Sequence, residues 1–238
     1  VNRTLEELMR ARWSWCAVLL LLAIQSWVEW RGGYLAVAEL YERWGLSPET
    51  WRQRHYVSLL TYALLHGSFT HAICNGLMLL FLGARLESWL GGKRVFWLWL
   101  GGIVLGGCFH GWMSGSSTAV LVGASGAAMA LLLCLTTLSP QSRLFPLPLS
   151  AGNVGLGVLL SSLILMLLDP DAPVALLAGW GKAIEARWGD DIFRIGHACH
   201  FGGALAGWLF ARWILRRPVL LEELQASRAK RERQHPGG

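Results

Sequence analysis

The chain has 238 residues, 54% of them hydrophobic and only 15% charged, against about 25% charged in an ordinary soluble domain. This balance excludes a water-soluble globular protein and calls for a membrane as solvent, with one integral domain, since no polar stretch is long enough to build a separate core. The formal net charge of +6 does not indicate nucleic acid, because the basic residues sit at segment ends and tails, where the positive-inside rule expects them.

In chain order, residues 1–12 form a short cytoplasmic segment carrying Arg3, Arg10 and Arg12. Six apolar segments qualify as membrane spans, over 13–30, 72–90, 95–112, 119–138, 154–168 and 192–215. The first lacks a small-residue cleavage site at its end and is expected to be retained. Many of the fourteen tryptophans, among them Trp13, Trp30, Trp89, Trp112 and Trp213, lie at span ends as interface anchors. The connection over 31–71 interleaves Leu35, Val37, Leu40 and Trp44 with Glu39, Glu42 and Arg43, which predicts an amphipathic helix lying in the interface. The connection over 169–191 is acidic and fits the outer side. Lys93 and Arg94, Arg143, and Arg212, Arg216 and Arg217 mark the inner side. Both termini are therefore expected in the cytoplasm, in a multi-pass protein of the cell membrane. The six-span domain covers 13–217 and a charged cytoplasmic tail covers 218–238. The five cysteines all fall in apolar segments and offer no disulfide framework.

Polar side chains within spans are costly in hydrocarbon, so His71, Asn75, Ser125, His197 and His200 call for an explanation. At about 1.5 Å per residue, Asn75, Ser125 and His200 each lie roughly 22 to 24 Å from the inner end of their spans, which puts all three at one height near the outer surface. Gly123-Ala-Ser125-Gly126-Ala-Ala surrounds its serine with minimal bulk. A helix starting near Ser125 would aim free N–H groups at a developing oxyanion. Taken alone, the same stretch reads first as a small-residue packing motif. His200 is followed by Gly203 and Gly207, four apart, a face able to pack against the Ser125 span and bring imidazole to hydroxyl. His71 and Asn75 share a helix face and can offer donors to one point, or clamp two helices together. His66, just before the second span, reads as a structural or interfacial residue, and neither it nor His55 or His110 receives a chemical role.

These residues resemble the rhomboid family of intramembrane serine proteases. The likeness lies in His66-Gly-Ser-Phe-Thr-His71-Ala-Ile-Cys-Asn75, Gly123-Ala-Ser125-Gly126 and His200-Phe-Gly-Gly203-Ala-Leu-Ala-Gly207, with Gly83 and Glu87 resembling the family's Gly-x-x-x-Glu. The resemblance implies an all-α, six-span bundle in which Ser125 is the nucleophile and His200 the general base. It also implies oxyanion donation by His71, Asn75 and the Ser125 backbone N–H, with no third carboxylate, metal or cofactor. Expected partners are the lipid bilayer and transmembrane protein substrates. Two positions depart from the family pattern. Val57-Ser58 stands where Trp-Arg is usual, and Met129 replaces an aromatic residue one turn after the serine. Two other readings compete: a rhomboid-like protein that escorts clients without cutting them, and a zinc or haem site built from His66, His71, Cys74, His197, Cys199 and His200. The first is disfavoured by the presence of both Ser125 and His200, the second by the lack of a His-Glu-x-x-His motif.

Overall fold

A segment apolar on every side becomes a helix because lipid offers no partner to a backbone N–H or C=O, and a helix satisfies both internally. The computed structural model describes residues 2–113, 120–143, 149–193 and 195–216. Among these the chain is helical, without strands and with isolated bridges at Leu46–Leu121 and Arg143–Ser150. The tail expected over 218–238 lies outside the described residues.

Helix α1 (Asn2–Arg10) leads into α2 (Arg12–Trp30). The first connection then folds into a 3-10 turn (Tyr34–Val37), α3 (Ala38–Trp44), α4 (Pro48–Arg52), α5 (Ser58–Thr61) and a second 3-10 turn (Tyr62–Leu64). The remaining helices are α6 (Phe69–Leu90), α7 (Gly92–Met113), α8 (Ser125–Leu138), α9 (Ala151–Leu167), α10 (Ala175–Trp188) and α11 (His197–Leu215). By length and composition, α2, α6 and α7 can cross a membrane, whereas α8 and α9 are apolar but shorter.

Three features differ from the sequence expectation. Helix α8 begins at Ser125 rather than near 119, with Val120 to Ala124 running outside any helix. Helix α11 begins at His197 rather than 192. The acidic connection after α9 contains α10, a helix of 14 residues that the sequence reading did not foresee. At about 1.5 Å per residue α8 is roughly 21 Å long, short of a hydrocarbon layer of about 30 Å.

Helices α7, α8 and α11 pack most closely, through small residues. A Cβ on Gly203 would collide with the Gly126 carbonyl, one on Gly207 with the Ala130 carbonyl, and one on Gly202 with Leu105 and Gly106 of α7. Lipid gives apolar helices no solvent-driven reason to associate, so close backbone contact supplies dispersion attraction instead. Helix α2 meets α6 where Gly83 makes room for Ser14. Glu87 accepts the Ser14 N–H at 2.7 Å, its hydroxyl at 2.6 Å and the Trp13 N–H at 3.3 Å, thereby satisfying free donors at the α2 N-terminus. The first connection turns inward: Tyr41 is fully buried and donates its hydroxyl to the His66 carbonyl at 2.6 Å.

Candidate active site

Helix α6 begins at a side-chain cap, the Ser68 hydroxyl accepting the His71 N–H at 3.1 Å, so His71 sits in the first turn and Asn75 one turn further along. Both face Gly123. A Cβ there would come within 2.8 Å of the His71 ring and 3.3 Å of Asn75 Nδ2, and the backbone φ of +117° independently calls for glycine.

Buried non-helical backbone must find partners within the protein, and the segment before α8 finds three. Leu121 exchanges both backbone bonds with Leu46, at 3.1 and 2.8 Å, Gly123 donates to the Tyr62 carbonyl at 3.0 Å, and Ala124 donates to His66 Nε2 at 3.3 Å. The chain then turns into α8 at Ser125, whose N-terminus has no side-chain cap. Its positive dipole end is thus available to an anion.

His200 lies in the first turn of α11, and the seating of Gly203 on Gly126 brings that turn beside the start of α8. His71, Asn75, Ser125, Met129 and His200 all line one cavity of about 710 Å³. Asn75 is 5% exposed, yet its amide Nδ2 has no hydrogen-bond partner. A buried donor left unmet costs free energy unless a ligand completes it. Ser125 and His200 are not hydrogen-bonded to each other; beside them Gly126 packs on the buried Cys199 sulfur, which a Cβ at that glycine would meet at 3.1 Å. Tyr62 reaches the same sulfur at 3.4 Å and donates to the Ile103 carbonyl at 2.8 Å. Among the described residues, no group of three or more His, Cys, Asp or Glu is placed to hold a metal ion.

Sequence reasoning read His66 as structural or interfacial without reaching its contact, and it did not single out Tyr62. His66 is fully buried and stands edge-on to His71, with ring centroids 5.0 Å apart. Burial, reinforced by neighbouring His71, lowers its pKa from 6.5 to about 4. It is therefore neutral, and accepting at Nε2 leaves its proton on Nδ1. The available signal was an ionisable side chain only five residues before His71. Tyr62 carried no signal, because its carbonyl is the functional group and every residue has one.

A model of the Rhomboid domain matches residues 49–217, well over half of the chain. The chain belongs to the rhomboid family. A curated relative, Rhomboid protein 1, mitochondrial, of Saccharomyces cerevisiae, is 29% identical over 193 residues, covering 72% of this chain. The chain spans about half, 49%, of that relative's length. In this rhomboid the matched stretch starts inside α4 and runs through α11, so it contains all five cavity residues named above and both residues that hold Gly123 and Ala124.

Proposed function

We propose that this rhomboid is an intramembrane serine protease that hydrolyses peptide bonds in or near transmembrane segments of other membrane proteins. Ser125 attacks the scissile carbonyl while His200 takes its proton, and the imidazolium then protonates the leaving amine. Water, with His200 again as base, releases the acyl group from Ser125. Asn75, His71 and the Ser125 backbone N–H donate to the oxyanion, where preorganised donors outperform water because they need no reorientation as charge develops. What most supports the reading is the gathering of these four residues around one cavity, with the Asn75 amide buried and unmet. The Ser125 hydroxyl and His200 come into hydrogen-bond contact as substrate binds, in keeping with catalytic hydrogen bonds that tighten only in the reacting complex.

The wider arrangement belongs to the same proposal. Six spans cross the bilayer within 13–217, the last three being α8 with the segment before it, α9 and α11. Residues 1–12 and 218–238 lie in the cytoplasm. The first connection rests in the interface, where Leu35, Tyr56 and Val57 are exposed. The charge distribution argues for this orientation, and the membrane is taken to be the cell membrane, whereas the yeast relative is mitochondrial by name.

The test uses detergent-purified protein, a fluorophosphonate probe and a labile transmembrane substrate. Wild type should label and cleave, while Ser125→Ala and His200→Ala should do neither. Asn75→Ala should lower kcat by about 10²-fold to 10³-fold, as loss of one oxyanion donor does. A wild-type protein that neither labels nor cleaves defeats the reading.

A further inference from the structure

The cavity that holds Ser125 has a second chemical character. It is also lined by Asp169 and Asp171 in the turn after α9 and by Glu185 of α10, the helix that sequence reasoning did not foresee. No lysine or arginine among the described residues lines it. Asp169 is half-buried, and its Oδ1 accepts the Asp171 N–H at 2.9 Å, which ties this carboxylate into the turn. Asp190 also lines the cavity but has a partner of its own. His197, which also lines the cavity, has its Nε2 2.6 Å from the Ile192 carbonyl. The carboxylates of Asp171 and Glu185 take no hydrogen bond and no ion pair among the described residues. A pair of carboxylates alone is an ordinary solvated surface. Here the same cavity is also lined by the buried, unpartnered Asn75 amide, a donor that a substrate carbonyl oxygen would complete, so a substrate bound at Asn75 shares its cavity with Asp171 and Glu185.

We propose that Asp171 and Glu185 select substrates carrying a lysine or arginine in the segment that flanks the scissile bond on the α9–α10 side of the membrane. This deepens the protease reading and rests on it. The selectivity has a physical basis in the substrates as well. Membrane proteins concentrate their basic residues on the cytoplasmic flank, so a cation on the opposite flank is an uncommon feature, and a wall that reads it separates few clients from many.

The experiment uses the full-length protein in detergent and a labile transmembrane substrate in two matched forms, with Lys or Glu at one position of that flank, the position being scanned over several residues. The expected ratio of kcat/KM, Lys over Glu, is about tenfold at its best position and shrinks at high salt, as an electrostatic preference must. It should fall toward unity in Asp171→Asn/Glu185→Gln and invert in Asp171→Lys/Glu185→Lys. Each ratio is internal to one enzyme preparation, so differences in folded fraction cancel, and the wild-type ratio stands even if a double variant does not fold. Equal cleavage of both forms at every position by wild type overturns the proposal while leaving the protease reading intact. A wild-type protein that cleaves neither form defeats the protease reading. Binding of the two labelled substrates to Ser125→Ala then decides the wall's role: a Lys preference supports it and equal affinities overturn it.

Discussion

His66 supports the site through a lone pair. Its Nε2 receives the Ala124 N–H at 3.3 Å, one residue before Ser125, and a protonated imidazole has no acceptor to offer there. Its folded-state pKa of about 4 lies below the ordinary 6.5. The unfolded chain therefore binds the proton more tightly. The stabilisation is complete above about pH 6.5 and is lost as the pH falls toward 4, amounting to roughly 3 kcal/mol. In detergent, the wild-type Tm should decline across that window. His66→Gln, which keeps an acceptor without titrating, should decline less; parallel profiles for the two proteins would refute this account. The residue scale also shows what motif reading reaches. His71, Asn75, Ser125 and His200, which line one cavity, stood out in the sequence as candidates because each pairs a polar side chain with an apolar surrounding, a combination that lipid penalises. The contact His66 makes was not legible, because it depends on an N–H that lies 58 positions further along the chain.

At the scale of elements, the start of α8 decides the site. Residues 119–124, Ala-Val-Leu-Val-Gly-Ala, are as apolar as the helix that follows, so hydropathy alone extends the span through them. The structure interrupts it because Leu46, Tyr62 and His66 offer better-placed partners to this backbone, and because Gly123 tolerates a φ of +117°. The helix N-terminus, with its free N–H groups and positive dipole end, consequently falls at Ser125. The seat of α11 on α8 is equally specific. Gly203→Ala should force the two helices apart at the Gly126 carbonyl and cost about 1 to 3 kcal/mol, the usual penalty of overpacking. Gly157→Ala on α9, where a methyl group meets nothing within 4 Å, should instead hold or raise stability, by up to about 1 kcal/mol from helix propensity. Thermal melts of the two variants side by side check both signs, and the expected loss of cleavage in Gly203→Ala alone checks the link to the site.

For the whole molecule, the proposed six crossings place the turn before α7 and the turn after α9 on opposite faces of the bilayer. Single cysteines replacing Lys93 and Asp171, in a background without the five native cysteines, should react with a membrane-impermeant maleimide from opposite sides of sealed vesicles. Labelling of both from one side would reject the six-span arrangement. What the sequence determined by itself is the solvent and the family. Composition demanded a membrane, and three separated motifs with the right order and spacing pointed to a rhomboid, because side-chain polarity in an apolar run is a local property that needs no neighbour to be noticed. What only the tertiary structure decided is where α8 begins, that His66 and Tyr62 hold the backbone ahead of Ser125, that Gly203 of α11 seats on Gly126 beside it, and that α10 and the turn before it bring carboxylates to the same cavity. Each of these turns on a contact between residues far apart in the chain, and hydropathy and periodicity carry no information about which distant backbone group will be the better partner.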